Sequence, residues 1–364
     1  MTELLRDKRF MMALVTVMVI IVIGMLSSVI ANDGGIIPFG PDQVSKEAIP
    51  YSVPGTAEIG EDGSVRKHVL GTDQLGRDVM SRLIHGISIA MKVGILSSMI
   101  SLIIAMLLGG LSGYLGDRTH RINLLQLLLL IIGFLLIHFY ATELAYFEND
   151  RGEYIKSYTT YGFIFSIGLI FLIYVSQLNL ISGLKEFWVP WDTLVVKLLE
   201  VFRSIPRLFL LLAIFSIITV PSVASVIWVI GLIRWPNLTR IIRAEIMSQK
   251  QDDYVKNAQI LGLPALTIFF QHVLPNVYRP IIVLTALNMG TAILIESSLS
   301  FLHIGLPIGE VSWGRMLSDA RQYIPAWWLA IGPGLLIFIS ILCFNTIGDR
   351  LSYHFKVNKQ GSNG

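Results

Sequence analysis

The chain turns polar between two strongly apolar runs, in Ala244-Glu-Ile-Met-Ser-Gln-Lys-Gln-Asp-Asp-Tyr254-Val-Lys-Asn-Ala258-Gln-Ile-Leu-Gly262-Leu-Pro-Ala-Leu-Thr-Ile-Phe-Phe-Gln-His272-Val-Leu-Pro-Asn276. Tyr254, Ala258 and Leu261 recur at i, i+4 and i+7, which predicts one face of a short amphipathic helix. Gly262 is a natural helix stop, and Pro264 suits the first turn of a second helix. That helix would carry Leu266, Phe269, Phe270 and Val273 and be closed by Pro275. The expectation is two short helices with a bend between them, outside the bilayer, presenting a surface that docks.

Around this island the composition is that of an integral membrane protein. Of 364 residues, 54% are hydrophobic and 15% charged, with a mean hydropathy of +0.67. Soluble domains average about 25% charged residues. A net charge of +3 is too small to imply nucleic acid and fits loops enriched in Lys and Arg on one side of the membrane. The lone Cys343 lies in an apolar run, so no intrachain disulfide can form.

Working outward, apolar runs long enough to cross a ~30 Å hydrocarbon core alternate with polar loops. Phe10 to Ala31, behind Arg6, Lys8 and Arg9, reads as an uncleaved first span; a cleaved signal peptide is the alternative. A loop rich in Gly, Pro, Asp and Ser follows, ending in His68-Val-Leu-Gly-Thr-Asp-Gln-Leu-Gly-Arg-Asp78. Here Gly71 and Gly76 suit turns, and Asp73 or Asp78 suits a helix cap. From Val79 to Leu115 a helix enters and crosses, with Ala105, Gly109 and Gly113 as a small-residue stripe where another backbone can approach. Two further runs, Leu124 to Phe147 and Tyr161 to Ile181, flank a polar stretch from Glu148 to Lys156. Spans are then expected from Arg207 to Val220, Val223 to Ile242, Arg279 to Leu302 and Leu329 to Ile347. Glu296 lies inside the third of these, where a charge costs about 2.5–3.5 kcal/mol on insertion scales, so it should face protein or water. The loop from Ile304 to Trp328 carries Trp327-Trp328, which fits an interfacial aromatic belt.

Several of these stretches resemble one family. Tyr254 to Gly262, followed by Ile268, His272, Leu274, Pro275 and Asn276, looks like the EAA loop of ABC-importer permeases. Gly71-Thr-Asp-Gln-Leu-Gly-Arg-Asp78 is similar to the GTDxxGRD segment of the C-type permease of oligopeptide, dipeptide and nickel importers. Glu296-Ser-Ser-Leu-Ser-Phe-Leu302 and the segments around Ser312-Trp-Gly314 and Ile324 to Trp328 also match. The resemblance covers about residues 1–116 and 192–350.

It implies an all-α polytopic bundle of the type I importer kind, with about eight spans: a core of six and an inserted hairpin. The organisation would be a first span and loop (1–87), a core helix (88–116), the insert (117–191), a core permease domain (192–350) containing the loop at 244–276, and a tail (351–364). Both termini would be cytoplasmic, in the plasma membrane.

The resemblance further implies the partners. Tyr254, Lys256, Asn257, Ala258, Leu261, Gly262, His272 and Pro275 would couple to two separate ATPase subunits, which hold the ATP and magnesium. Gly71, Thr72, Asp73, Gly76, Arg77 and Asp78 would anchor the outer loop or help dock an extracytoplasmic solute-binding protein. Glu296 would have a structural partner or touch the substrate, and a second permease would complete a path for peptides. The chain departs from the family in the insert of about seventy residues and in Lys256-Asn257-Ala258, where Glu-Ala-Ala is usual.

Catalytic signatures are absent: no glycine-rich loop ending in Gly-Lys-Ser/Thr, no His-Glu-x-x-His and no Gly-x-Ser-x-Gly. The chain therefore reads as a transport subunit without a cofactor, metal or nucleic acid of its own. A nickel importer, a secondary transporter and a membrane scaffold or sensor are the alternatives. A secondary transporter should show inverted repeats, and none is visible.

Overall fold

Strongly apolar sequence with few breakers gives helices, and the computed structural model shows how they pack. It describes residues 2–32, 35–44, 49–59, 65–117, 121–123, 186–218, 220–307 and 309–361. The chain divides into two compact units, residues 1–114 with 197–364, and residues 115–196.

In the first unit, α1 (Lys8–Met25) opens on Asp7, whose carboxylate accepts from the Arg9 amide at 2.9 Å. It stops six residues short of the expected Ala31; Leu26 breaks the helix and a single turn, Ser27–Ile30, follows. The long helix α2 (Val79–Leu115) has 37 residues, about 55 Å at 1.5 Å per residue. Further on come α3 (Trp191–Ser204), which begins in the second unit, then α4 (Arg207–Ile217) and α5 (Val223–Lys250). The polar island forms α6 (Asp253–Ile260) and α7 (Ala265–Ile268), joined by a wide π turn, Phe269–Val273, to α8 (Leu274–Phe301). Last are α9 (Trp313–Ala320) and α10 (Trp328–Gly361).

Four of these are long and apolar enough to cross a membrane: Lys8–Met25, Val79–Leu115, Ala265–Phe301 and Trp328–Phe355. The expected span from Arg207 is an 11-residue helix, about 16 Å long and too short to cross unaided. The next, α5, is long enough at 28 residues but carries Arg234, Arg240, Arg243 and Glu245. The two runs of the insert, 124–147 and 161–181, lie outside the described residues.

Packing follows the small residues. A Cβ on Gly109 would meet the Thr239 carbonyl oxygen at 2.7 Å, and one on Gly113 the Arg243 carbonyl oxygen at 2.9 Å. Only glycine lets α2 and α5 come this close. Higher on the same crossing, Ser101 Oγ donates to the Gly231 carbonyl at 2.9 Å. One apolar core gathers α1, α2, α9 and α10 through Val17, Leu83, Ile87, Trp313, Met316, Leu329 and Phe344. A second joins α2, α5 and α8 through Val93, Ile230, Ala292 and Leu299.

Three expectations change. Trp328 is buried, not part of an aromatic belt, because its indole N–H donates to the Thr72 carbonyl at 3.2 Å; Trp327 beside it stays exposed. The loop from Ile304 to Trp328 contains α9, whose Trp313 donates to the Leu83 carbonyl at 3.0 Å. The last helix does not end with the expected span at Ile347 but runs on to Gly361.

In the second unit, Arg121–Asn123 pairs antiparallel with Glu186–Trp188, Arg121 opposite Trp188. The two ends of the insertion therefore lie side by side. Asp117 accepts from the Thr193 amide at 2.9 Å and from its hydroxyl at 2.8 Å.

Candidate functional site

The helix α6 runs only from Asp253 to Ile260, so the expected face of Tyr254, Ala258 and Leu261 is not what it buries. Val255 and Ala258, at i and i+3, point inward, and Leu261 is 79% exposed. The cause is the turn. Gly262 sits at φ +74°, its N–H bonding the Gln259 carbonyl at 3.0 Å, while the Leu263 N–H bonds the Ala258 carbonyl at 3.3 Å. This is the Schellman ending that only glycine adopts without strain. Leu261 is the last residue before the reversal and is thrown outward.

After Pro264, which caps α7 from outside rather than sitting in its first turn, the chain rejoins the membrane helix. Pro275 does not close it. Proline lacks the N–H that would bond the Gln271 carbonyl, and its ring presses on that carbonyl. The turn widens instead, the Leu274 N–H bonding the Phe269 carbonyl five residues back. The helix continues, with Ile268, Phe269, Val273 and Val277 buried.

The loop is held from below. Phe269 and Tyr114 pack with ring centres 5.3 Å apart and planes tilted by 54°, and Lys250 Nζ donates to the Tyr114 carbonyl at 2.6 Å. Tyr254 Oη donates to Gln249 Oε1 at 2.9 Å, and Asn276 Nδ2 to the His272 carbonyl at 2.7 Å. What this frame presents outward is apolar: Ile260 (82% exposed), Leu261, Leu266 and Phe270. Lys256 and Asn257 are exposed beside it, and Lys256 Nζ lies 3.1 Å from Asp253 Oδ1. An exposed pair of that kind contributes about 0–1 kcal/mol, so the lysine remains available.

At the other end of α2 the Gly71–Asp78 segment folds into a buried knot. Gly71 and Gly76 take φ +73° and +77°; a Cβ on Gly71 would collide with the Ser52 carbonyl. Asp73, 2% exposed, accepts from the amides of Leu75 at 2.8 Å and Arg77 at 3.0 Å, and from Arg77 Nε at 2.8 Å. Thr72 Oγ1 donates to the Ile49 carbonyl at 2.8 Å. Asp78, 1% exposed, caps α2 through the Ser81 amide at 2.7 Å and meets His68 Nδ1 at 2.9 Å. His68 in turn lies 3.3 Å from Glu58. Both aspartates turn inward and are satisfied within the chain; Leu75 faces out.

Asp78→Ala therefore removes a cap and leaves His68 with one partner fewer, at a cost of about 3–5 kcal/mol for breaking a buried pair. Thermal melting of the detergent-purified protein measures it, and an unchanged midpoint would refute the role. Burial alone would lower the His68 pKa, but the hydrogen bond to Asp78 and the nearby Glu58 carboxylate outweigh it and hold it above the ordinary value. The stabilisation is thus complete below about pH 6.5, the unfolded value, and fades as pH rises through the higher folded one.

Glu296 faces protein. It is 1% exposed, with Ser300 Oγ donating at 2.8 Å and Ser297 Oγ 3.3 Å away. Its neighbour Ser297 is met by Gly314, whose Ser312-Trp-Gly314 stretch the sequence marked without showing why: a Cβ there would fall on the Ser297 backbone. Among the described residues no group of His, Cys, Asp and Glu could hold a metal ion.

Apolar spanning helices that carry a framed loop with an outward apolar face define a polytopic membrane protein built to bind a partner. Residues 178–356 match the family described as binding-protein-dependent transport system inner membrane component. The chain is 29% identical over 291 residues to the di/tripeptide transport system permease protein DppC of Pseudomonas aeruginosa, covering 80% of this chain and 72% of the relative. It is 34% identical over 210 residues to the dipeptide transport system permease protein DppC of Alkalihalophilus pseudofirmus, covering 56% and 68%. The dipeptide permease DppC of Haemophilus influenzae aligns over 347 residues at 27%, covering 95% and 89%. The chain belongs to this family of binding-protein-dependent transport permeases and is a multi-pass membrane protein.

Proposed function

We propose that the chain is the membrane-spanning subunit of an ATP-driven importer of short peptides, coupled through residues 253–270 to separate ATPase subunits. The exposed apolar face of Ile260, Leu261, Leu266 and Phe270 carries this reading. Such a patch on a frame of buried contacts marks a protein interface. The peptide substrate follows from the relatives, which are named for dipeptide and di/tripeptide transport.

Arg6, Lys8 and Arg9 share a side with Arg240 to Lys256 in a topology with the N-terminus inside, so the positive-inside rule places this loop in the cytoplasm. Residues 31–78 then lie outside, where a solute-binding protein delivers peptide, and a second permease completes the path. ATP and magnesium stay on the ATPases. Their closure favours one of two permease states, and the loop transmits the preference only if its contacts differ between them.

The double variant Leu261→Asp, Leu266→Asp is expected to insert normally and to lose its ATPases. Burying a leucine side chain contributes about 1.5–3 kcal/mol, so copurification from detergent should fall at least tenfold and dipeptide uptake in vesicles should vanish. Full copurification with full uptake would overturn the coupling role.

A further inference from the structure

The open face of α2 changes character partway along. Its outward residues recur at helical spacing: His85, Ser88, Lys92, Leu96, Met99, Ile103 and Leu107. From Leu96 onward the stripe is apolar, as lipid or a packed helix requires. Its first three members are polar and line a cavity of about 700 Å³ with the end of α1 and the segment around Glu310. That volume lies in the range of small-molecule sites, ~300–1,000 Å³.

Lys92 is the fourteenth residue of a spanning helix, about 20 Å from its start. Among the described residues its ammonium has no ion pair or hydrogen bond. It is exposed, one residue before the uncharged run of the helix begins, so on the wall of this cavity it is open to an anionic group. Asp42 and Glu310 line the same cavity, and Asp42 is already bound by Arg82 at 3.2 Å. The cavity thus presents a cation that attracts an anionic group and carboxylates that repel one.

We infer that Lys92 is a subsite for the terminal carboxylate of the transported peptide, received in this cavity with the ammonium terminus turned toward Glu310. This rests on the peptide-import reading. The peptide carboxylate would accept a charge-assisted hydrogen bond from Nζ, an interaction twice as strong as a neutral one. The bare apolar stripe beyond Leu96 offers nothing comparable, so the peptide would be held at this level until the bundle rearranges.

The test uses the permease–ATPase complex in nanodiscs of phosphatidylcholine, with and without phosphatidylglycerol, and without the solute-binding protein. Radiolabelled alanyl-alanine is the probe, competed by unlabelled alanyl-alanine or by its C-terminal amide. In the wild type the free acid should compete at least tenfold better than the amide. Lys92→Met should erase that difference, and Lys92→Arg should keep it. The inference is overturned if acid and amide compete equally in the wild type, or if Lys92→Met changes neither. It is overturned too if Lys92→Met acts only in phosphatidylglycerol and alike on both competitors, which would assign the ammonium to a lipid phosphate. Absence of saturable binding also sinks it. Uptake into sealed proteoliposomes of the same complex and lipid, with the solute-binding protein, separates the two ideas: wild-type uptake with no Lys92 effect removes the subsite alone, whereas no uptake of any peptide removes the import reading and the subsite with it.

Discussion

Gly314→Ala is expected to leave almost no folded protein. The methyl group would fall on the backbone of Ser297, inside contact distance of its oxygen, carbonyl carbon and α carbon. None of these is a side chain that can swing away. α9 would have to lift off α8, but Trp313 beside it is fully buried and bonded to the Leu83 carbonyl. Destabilisations above about 4–5 kcal/mol come from overpacking of this kind. Gly334→Ala is the control: its added carbon has only Leu317 within reach, at 4.0 Å, and in a helix the change contributes up to about 1 kcal/mol of stability. Size-exclusion profiles and melting curves in detergent decide the matter. A monodisperse Gly314→Ala protein melting with the wild type would contradict the packing described.

The second large effect is expected at Gly262. Its φ is +74° and a Cβ there meets nothing within 4 Å, so the costs of conformation and bulk can be separated. Alanine pays only the left-handed penalty, about 1–2 kcal/mol, at an exposed turn. Tyrosine adds a ring in the middle of the surface formed by Leu261 and Leu266. Gly262→Tyr should abolish uptake while the protein still inserts, because the turn packs on no membrane helix; Gly262→Ala should keep most of it. Copurification of the ATPases and vesicle uptake measure both. Equal failure of the two variants would trace the effect to backbone conformation, and full activity of Gly262→Tyr would remove the turn from the docking surface.

The polar island was legible because its signals are local. Gly262 followed by Pro264 marks a stop and a restart, and both occur. Leu261 was misplaced for a local reason too: helical periodicity was extended one residue past the end of α6, where an i+7 relation no longer describes a face. Pro275 reads as a terminator in any window, and the wide turn that lets the helix pass it leaves no trace in composition. Trp328 could not be read at all, since its partner, the Thr72 carbonyl, is 256 residues away. The aspartates of residues 71–78 show the same limit. Their motif marks them as special, but only the fold shows that they turn inward, toward Ser81, His68 and Arg77.

Because Pro275 fails to interrupt it, one helix runs for 37 residues from Ala265 to Phe301. Leu266, on the exposed face, and Glu296, in its ring of serines, are thus two points on a single shaft about 45 Å apart at 1.5 Å per residue. A shaft has little slack: an axial push at the loop would be taken up only where the hydrogen bonding is looser, at Phe269–Val273 and at Pro280. That wide turn and Pro280, whose missing N–H leaves a second gap in the ladder, are the compliant points of the shaft, and their stiffness sets how much of a movement at the loop reaches Phe301.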